Sequence, residues 1–321
     1  MIQEGYKMDF SNQTFGVILY GAPGVGKTTL SMSDGNNGAD TLLIDLEHGV
    51  GRTNPLHRMN TKVLSASTYE EVMSDLESEE AKSAKTIVID TAGSLVEYLK
   101  DWAMRTKTGA KTQRGEWNGL KGFGFVKSEL DSFVNKIKTV MNKNIVFIFH
   151  ADEKVDRDGN PIQRLRCEGS FRNTVWTGID FGCLIQMQDG KRYANFSPDD
   201  DNPAKGCHGI EGKIEIPKLT ESVKNDFLAG LFDTARRNMQ QENDSVAQTI
   251  KTYQTIIADV GEMVKGVTDA DSANACLKVI SSMDHVLTSK KECGKMLNDR
   301  CKAVGLVYQK ATLSYVVGEA Q

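Results

Sequence analysis

Gly21-Ala22-Pro23-Gly24-Val25-Gly26-Lys27-Thr28 directly follows the apolar run Phe15 to Tyr20, and no other feature constrains the fold as much. The octapeptide fits G-x-x-x-x-G-K-[ST], and the required context is a strand before it and a helix after it. Glycines at 21, 24 and 26 let backbone N–H groups turn inward around phosphate oxygens, where a side chain would block the approach. A helix starting near Lys27 would add its positive end. Lys27 is then expected to reach the β- and γ-phosphates, and the Thr28 hydroxyl to hold Mg²⁺. Gly21, Ala22, Pro23, Gly24, Val25, Gly26, Lys27, Thr28 and Thr29 together form the expected nucleotide-binding segment. A glycine turn without a ligand explains less, because motif and flanks occur together.

The runs Phe15–Tyr20, Thr41–Asp45, Lys62–Ala66, Thr86–Asp90 and Ile145–His150 are short, β-branched and without polar alternation. They read as buried strands. Between them, Thr68–Ala81, Ser94–Arg105 and Leu120–Met141 carry apolar positions at helical spacing. The alternation predicts an α/β fold with a mostly parallel sheet flanked by helices. A β-rich stretch follows, with turns at Asp158-Gly159-Asn160 and Asp189-Gly190 between Phe181–Gln188 and Arg192–Ser197. Lys213–Ile216 is expected at an edge, and Glu221–Met239 as the last core helix. The predicted division is a core domain over 1–235, a polar linker over 236–245 and a small helical accessory domain over 246–321. Its helices are expected at Val246–Val264, Ala270–Met283 and Ser289–Ala303, the last capped at Thr288 or Ser289 ahead of Glu292.

Composition narrows the function. The 321 residues carry a net charge of −4, so any contact with nucleic acid must come from a local patch rather than from the overall field. No apolar run reaches the roughly 18 to 20 residues of a membrane span, and the start lacks a signal peptide's apolar region. The six cysteines form no C-x-x-C pair, which weakens zinc and disulfide readings. A cytoplasmic protein without a membrane partner is expected.

Two acids at strand ends complete the chemistry. Asp90 closes Thr86-Ile87-Val88-Ile89-Asp90, the apolar strand plus acid of a Walker B element, and is expected to orient Mg²⁺. Leu42-Leu43-Ile44-Asp45-Leu46-Glu47-His48-Gly49 ends another strand in an acidic step, where Glu47 could polarise the water that attacks the γ-phosphate. His48 is a weaker candidate, because it and Glu47 cannot both face the phosphate in an extended segment.

The Asp-x-Glu-His run after the strand that follows the P-loop resembles the RecA-type recombinase core, in which the matching glutamate activates water. In typical AAA+ ATPases the glutamate stands beside the Walker B aspartate, and here that neighbour is Thr91. The resemblance extends to Ile145-Val146-Phe147-Ile148-Phe149-His150, whose polar end matches a sensor of the γ-phosphate. It is similar, more narrowly, to phage RecA-like ATPases associated with single-strand annealing. It covers roughly residues 10 to 235 and implies ATP as the nucleotide, and host cytoplasm if the chain is phage-encoded.

From that resemblance His150 is a sensing candidate, with a strand-capping histidine satisfied by backbone as the alternative. RecA-like cores complete the site with a basic residue from a neighbouring subunit. Lys205 occupies the matching late position, although Cys207 stands where a second basic residue is usual. Such a finger implies a head-to-tail homo-oligomer, a ring or filament.

RecA-like proteins place their first DNA loop after the Walker B strand and its helix. There this chain has Arg105, Lys107, Lys111, Arg114 and Trp117 with two glycines and one acid, Glu116. Lys107, Lys111 and Arg114 would neutralise phosphates of single-stranded DNA while Trp117 stacks a base. The alternative is a solvated loop whose Trp117 packs on the core. Four cations contacting single-stranded DNA would give a salt slope of roughly −2.8. Phe123 and Phe125 among Gly119, Gly122 and Gly124 could add stacking. A second loop, Asp152–Val175, interleaves Arg157, Arg164, Arg166 and Arg172 with acids and is not basic overall. Asp156-x-Asp158-Gly159 lacks EF-hand spacing, and Asp199-Asp200-Asp201 reads as a solvated loop.

Two functions fit. One is a Mg-dependent ATPase acting on single-stranded DNA in phage-type recombination, annealing or replication. The other is a nucleotide-gated switch or adaptor that recruits a single-strand-binding or replication protein.

Overall fold

The computed structural model describes residues 8–155, 161–167, 175–199, 202–220 and 223–318, in two compact units, one of Phe10–Asn238 and the other of Met1–Asp9 with Met239–Gln321. The larger unit is built on a sheet whose described strands run in the order β3-β2-β4-β5-β1-β7-β8-β9. These are β1 Gly16–Gly21, β2 Thr41–Asp45, β3 Lys62–Leu64, β4 Thr86–Asp90, β5 Asn144–Val155, β7 Phe181–Gln188, β8 Lys191–Asn195 and β9 Lys213–Ile216, with β6 Pro161–Leu165 paired to the outer half of β5. The six from β3 to β7 along this path are mutually parallel, and β8 and β9 add antiparallel edges.

The expected parallel sheet flanked by helices is therefore present. Every residue of β1, β2 and β4 is buried, which is why these strands read as continuous apolar runs. Helices α4 Ala92–Thr106 and α5 Gly119–Asn135 cover one face, setting Leu95, Leu99, Val126, Leu130 and Phe133 against Ile18, Ile89 and Phe147. Each such side chain contributes about 1.5–3 kcal/mol by leaving water. Elsewhere in this unit Phe15 stacks on Phe232, at a centroid distance of 5.5 Å.

Several elements differ from expectation. Lys62–Leu64 is an exposed edge strand, not a buried one. The predicted helix Thr68–Ala81 is broken into α2 Tyr69–Asp75 and α3 Glu79–Ser83, because the Ser78 side chain accepts from the Ala81 amide and starts a new helix. Leu120–Met141 ends its α-helical part at Asn135 and continues as a π turn, Lys136–Val140. The last core helix begins at Phe227, and residues 236–245, expected as a linker, are helical within α6 Phe227–Lys265. Their Arg, Gln and Glu are polar but good helix formers, and Gln240 reaches Asp244 one turn on.

In the smaller unit the latter part of α6 packs with α7 Ala270–Ser282 and α8 Ser289–Ala303 around Val260, Cys276, Cys293, Leu297 and Cys301. Asp269 and Ser272 cap α7 reciprocally. Thr288 makes no cap bond to backbone and instead donates to Glu292. A hairpin absent from the sequence reading, β10 Leu306–Gln309 with β11 Ser314–Val317, closes the unit. All six cysteines are free. No described helix is long and apolar enough to cross a membrane.

Candidate functional site

The site forms where parallel strands end, and the register explains why its groups converge. Strand β5 lies between β1 and β4, so Gly21 aligns with His150 and Asp90 with Ile148, while Asp45 on β2 aligns with Asp90. Ligands of open α/β sheets bind at such carboxyl edges. A cleft of about 250 Å³ there is lined by Gly24, Gly26, Lys27, Thr28, Thr29, Asp45, Glu47, Asp90 and His150, among others.

The glycine loop takes the conformation its residues permit. Gly24 and Gly26 sit at φ +80° and +91°, in the left-handed region that favours glycine. The following helix α1 is only Lys27–Ser31, shorter than expected, so loop amides and Lys27 rather than a long helix dipole define the cradle. Lys27 is 6% exposed and donates to the carbonyls of Gly21 and Ala22 at 3.0 and 2.9 Å. Burial holds its ammonium below the usual lysine range, against the attraction of Asp90 and Glu47.

Thr28 Oγ1 donates to Asp90 Oδ2 at 2.7 Å. Burial raises the Asp90 carboxyl; the Thr28 bond and Lys27 oppose this, and the Asp45 and Glu47 carboxylates reinforce it. A buried carboxylate beside a hydroxyl is an oxygen-only donor set that suits a hard cation such as Mg²⁺. Among the described residues there is no group of three or more His, Cys, Asp or Glu that could hold a metal ion.

Asp45 organises the next segment. Its carboxylate accepts from the amides of Glu47, Gly49 and Val50 at 3.3, 3.0 and 2.9 Å, curling the chain into a 3-10 turn, Val50–Arg52. The segment is therefore not extended, and His48 adopts φ +52°. Glu47 accepts from Thr91 Oγ1 at 2.7 Å and Ser94 Oγ at 3.3 Å, and its other oxygen lies 3.2 Å from His150 Nε2. Burial pushes the Glu47 carboxyl up, but the bonds from Thr91, His150 and Ser94 outweigh it and hold it below the usual carboxylate range. His150 is thus engaged by a side chain rather than by backbone alone.

Other expected residues lie elsewhere. Lys205 exchanges two backbone hydrogen bonds with Gly182, and its ammonium donates to the Ile179 carbonyl. Trp117, expected to stack a base, packs inward. A Cβ on Gly122 would stand 2.3 Å from its ring, and Phe123 meets it edge-on at 5.5 Å. The tight fit to Gly122 matches the alternative in which this tryptophan packs on the core. Arg105 forms a bidentate pair with Glu70, and the Lys107 ammonium sits 4.5 Å from the Trp102 ring centre. Lys111 and Arg114 remain exposed on a loop closed by pairing of Lys111 with Trp117. In the second loop Arg166 pairs with Asp152. Asp156, Arg157, Asp158, Glu168, Arg172, Asp200 and Asp201 lie outside the described residues.

Two arginines beside the cradle escaped sequence reading. Arg52 lines the cleft itself. Arg192, on β8, donates to the Val25 carbonyl at 3.4 Å, and its Nη1 lies 2.2 Å from where a Cβ on Gly26 would sit. No local motif marks either residue.

The sequence profile of the AAA domain family matches residues 14–208, more than half of the chain. A search of curated proteins returned no match. Solved structures that resemble the chain include a KaiC-like protein from the hyperthermophilic archaeon Pyrococcus horikoshii OT3, at 13% identity over 63% of this chain and 89% of that one, with a TM-score of 0.35. An ATPase of the type III secretion system of pathogenic bacteria matches at 13% identity over 54% and 51%, with a TM-score of 0.32. The P4 protein of bacteriophage phi6, solved with ADP, matches at 12% identity over 63% and 57%, with a TM-score of 0.26.

Proposed function

The chain belongs to the AAA domain family of P-loop proteins, and from that premise we propose that it is a Mg-dependent ATPase whose turnover is coupled to single-stranded DNA. The convergence of Lys27, Thr28, Asp90 and Glu47 on one cleft carries this reading. Gly21 to Thr29 cradle the phosphates, and Lys27 exchanges its two carbonyl partners for phosphate oxygens. Thr28 and Asp90 would hold Mg²⁺, which would supply positive charge against the phosphates.

Glu47 takes a proton from water as the water oxygen bonds to the γ-phosphorus. The bond from that phosphorus to the β,γ-bridging oxygen breaks, its electron pair stays on the ADP oxygen, and the products are ADP, phosphate and a proton. Thr91, Ser94 and His150 orient the Glu47 carboxylate and keep it ionised at neutral pH. His150 thereby senses the occupied site through Glu47.

The loop from Lys107 to Trp117 is the candidate DNA contact, with Lys111 and Arg114 as its exposed cations. Phage-type recombination, annealing or replication is the setting this chemistry suits, in a head-to-tail ring or filament where Lys205 faces a neighbouring site. ATPase rate with and without single-stranded DNA, alongside Lys27→Ala and Glu47→Gln, tests the proposal. Glu47→Gln should bind ATP normally and lose roughly 10² to 10⁴ in turnover, and single-stranded DNA should raise the wild-type rate. Hydrolysis indifferent to DNA favours the nucleotide-gated adaptor instead, and near-wild-type turnover by Glu47→Gln rejects Glu47 as the base.

A further inference from the structure

We infer that Arg52 is a cis-acting catalytic residue whose guanidinium binds γ-phosphate oxygens in the nucleotide cleft of its own chain. The inference rests on the ATPase reading above and adds a group that no sequence motif assigned.

Besides Lys27 and the Mg²⁺ proposed at Thr28 and Asp90, the cleft lining offers one further cation, Arg52. Its lining carries Asp45, Glu47 and Asp90 against Lys27 and Arg52 alone among charged groups, with His150 beside Glu47. Phosphoryl transfer spreads charge over the oxygens of the transferred group, and an arginine matches that array with paired donors where a lysine offers a point charge.

Arg52 is exposed, and the turn fixes its backbone at the cleft. The Asp45 carboxylate fixes the amides of Glu47, Gly49 and Val50. The Arg52 and Thr53 amides then donate to the carbonyls of Gly49 and Val50 at 3.1 and 3.0 Å. The turn that sets the general base therefore also sets the arginine, five residues later, and most of the loop's ordering cost falls on folding rather than on catalysis.

Its donors are free for a ligand. Arg105, Arg166 and Arg236 each reach a carboxylate. The Arg52 guanidinium makes no hydrogen bond or ion pair among the described residues, and its Nη1 lies 3.6 Å from where a Cβ on Gly49 would sit. An uncompensated guanidinium on the wall of a phosphate cleft is a counter-charge awaiting its anion.

The test uses the full chain with Arg52→Ala and Arg52→Lys. Affinity is measured for ADP alone and for ADP with aluminium fluoride and magnesium, a mimic of the transferring phosphoryl group. Wild type should bind the mimic more tightly than ADP. Arg52→Ala should keep ADP affinity, lose that extra tightness and lose turnover on the order of 10³-fold, with Arg52→Lys in between.

Mixing Arg52→Ala with Glu47→Gln separates cis from trans. If Arg52 acts in its own chain, each subunit carries one defect and mixtures stay inactive. Recovered activity would assign Arg52 to a neighbour's site and overturn the inference, as would unchanged mimic affinity in Arg52→Ala. Absence of wild-type hydrolysis, or ATP binding that survives Lys27→Ala unchanged, would instead overturn the ATPase reading itself.

Discussion

Two glycine-containing loops of this chain behave differently in the fold. The cradle at 21–28 and the segment at 105–117 both carry glycines, the first with one basic side chain, Lys27, and the second with four. At the first, Lys27 is buried and donates to two carbonyls, and the guanidinium of Arg52, lining the same cleft, has no partner among the described residues. In the second, Arg105 is paired with Glu70, Lys107 lies on Trp102, and Trp117 is wedged over Gly122. The two differ in how many of their groups the fold has already engaged: Arg105, Lys107 and Trp117 in the second are, while the side chains of Lys111 and Arg114 have no partner among the described residues.

The sharpest challenge to this contrast is Trp117→Ala. If the ring is a structural wedge, its removal should cost about 2–4 kcal/mol of stability in chemical denaturation. A variant that unfolds like wild type yet loses single-stranded DNA binding would reverse the comparison. Gly26→Ala attacks the other loop, where a Cβ would meet Arg192 and must adopt φ +91°. ATP affinity measured by calorimetry should fall about tenfold or more, since a left-handed non-glycine residue alone costs about 1–2 kcal/mol.

A smaller effect concerns salt. With Arg105 and Lys107 engaged inside the fold, Lys111 and Arg114 are the two cations left, so the slope of log affinity against log salt for single-stranded DNA should be roughly −1.4 and not the −2.8 of four free cations. Lys111→Ala with Arg114→Ala should bring it close to zero, and an unaltered slope would move the DNA contact elsewhere.

The smallest effect is in pH. Glu47 is held below the usual carboxylate range, so its contribution to stability is present above the ordinary glutamate value and is lost as pH falls through the depressed one. The base must be ionised, so the acidic limb of the kcat/KM profile should lie below the ordinary glutamate value. His150→Ala removes one bond to the carboxylate and should move that limb to higher pH. A limb that stays in place would show that His150 does not tune the acid.

The parts that were legible share a physical cause. Continuous apolar runs at Phe15, Thr41 and Thr86 announced strands buried on both faces, and Gly21 to Thr28 announced a backbone that side chains would obstruct. Asp90 stood out because it closes such a run, and Glu47 because it lies two residues past the end of another. Arg52 was not, since its placement depends on the Asp45 carboxylate capturing three amides, and Asp45 itself read only as part of an acidic step. Arg192 reaches Val25 across 167 positions of sequence, a distance over which local pattern says nothing. The helix through residues 236–245 was not read because polarity was weighed and helix propensity was not.

A single side chain, Asp45, anchors an entire working segment. Glu47 and Arg52 hang from one pin, so the two tools keep a common alignment, and neither can be retuned by small shifts of the chain without carrying the other along. Loss of that pin should disarm the molecule while every reacting group is still in place.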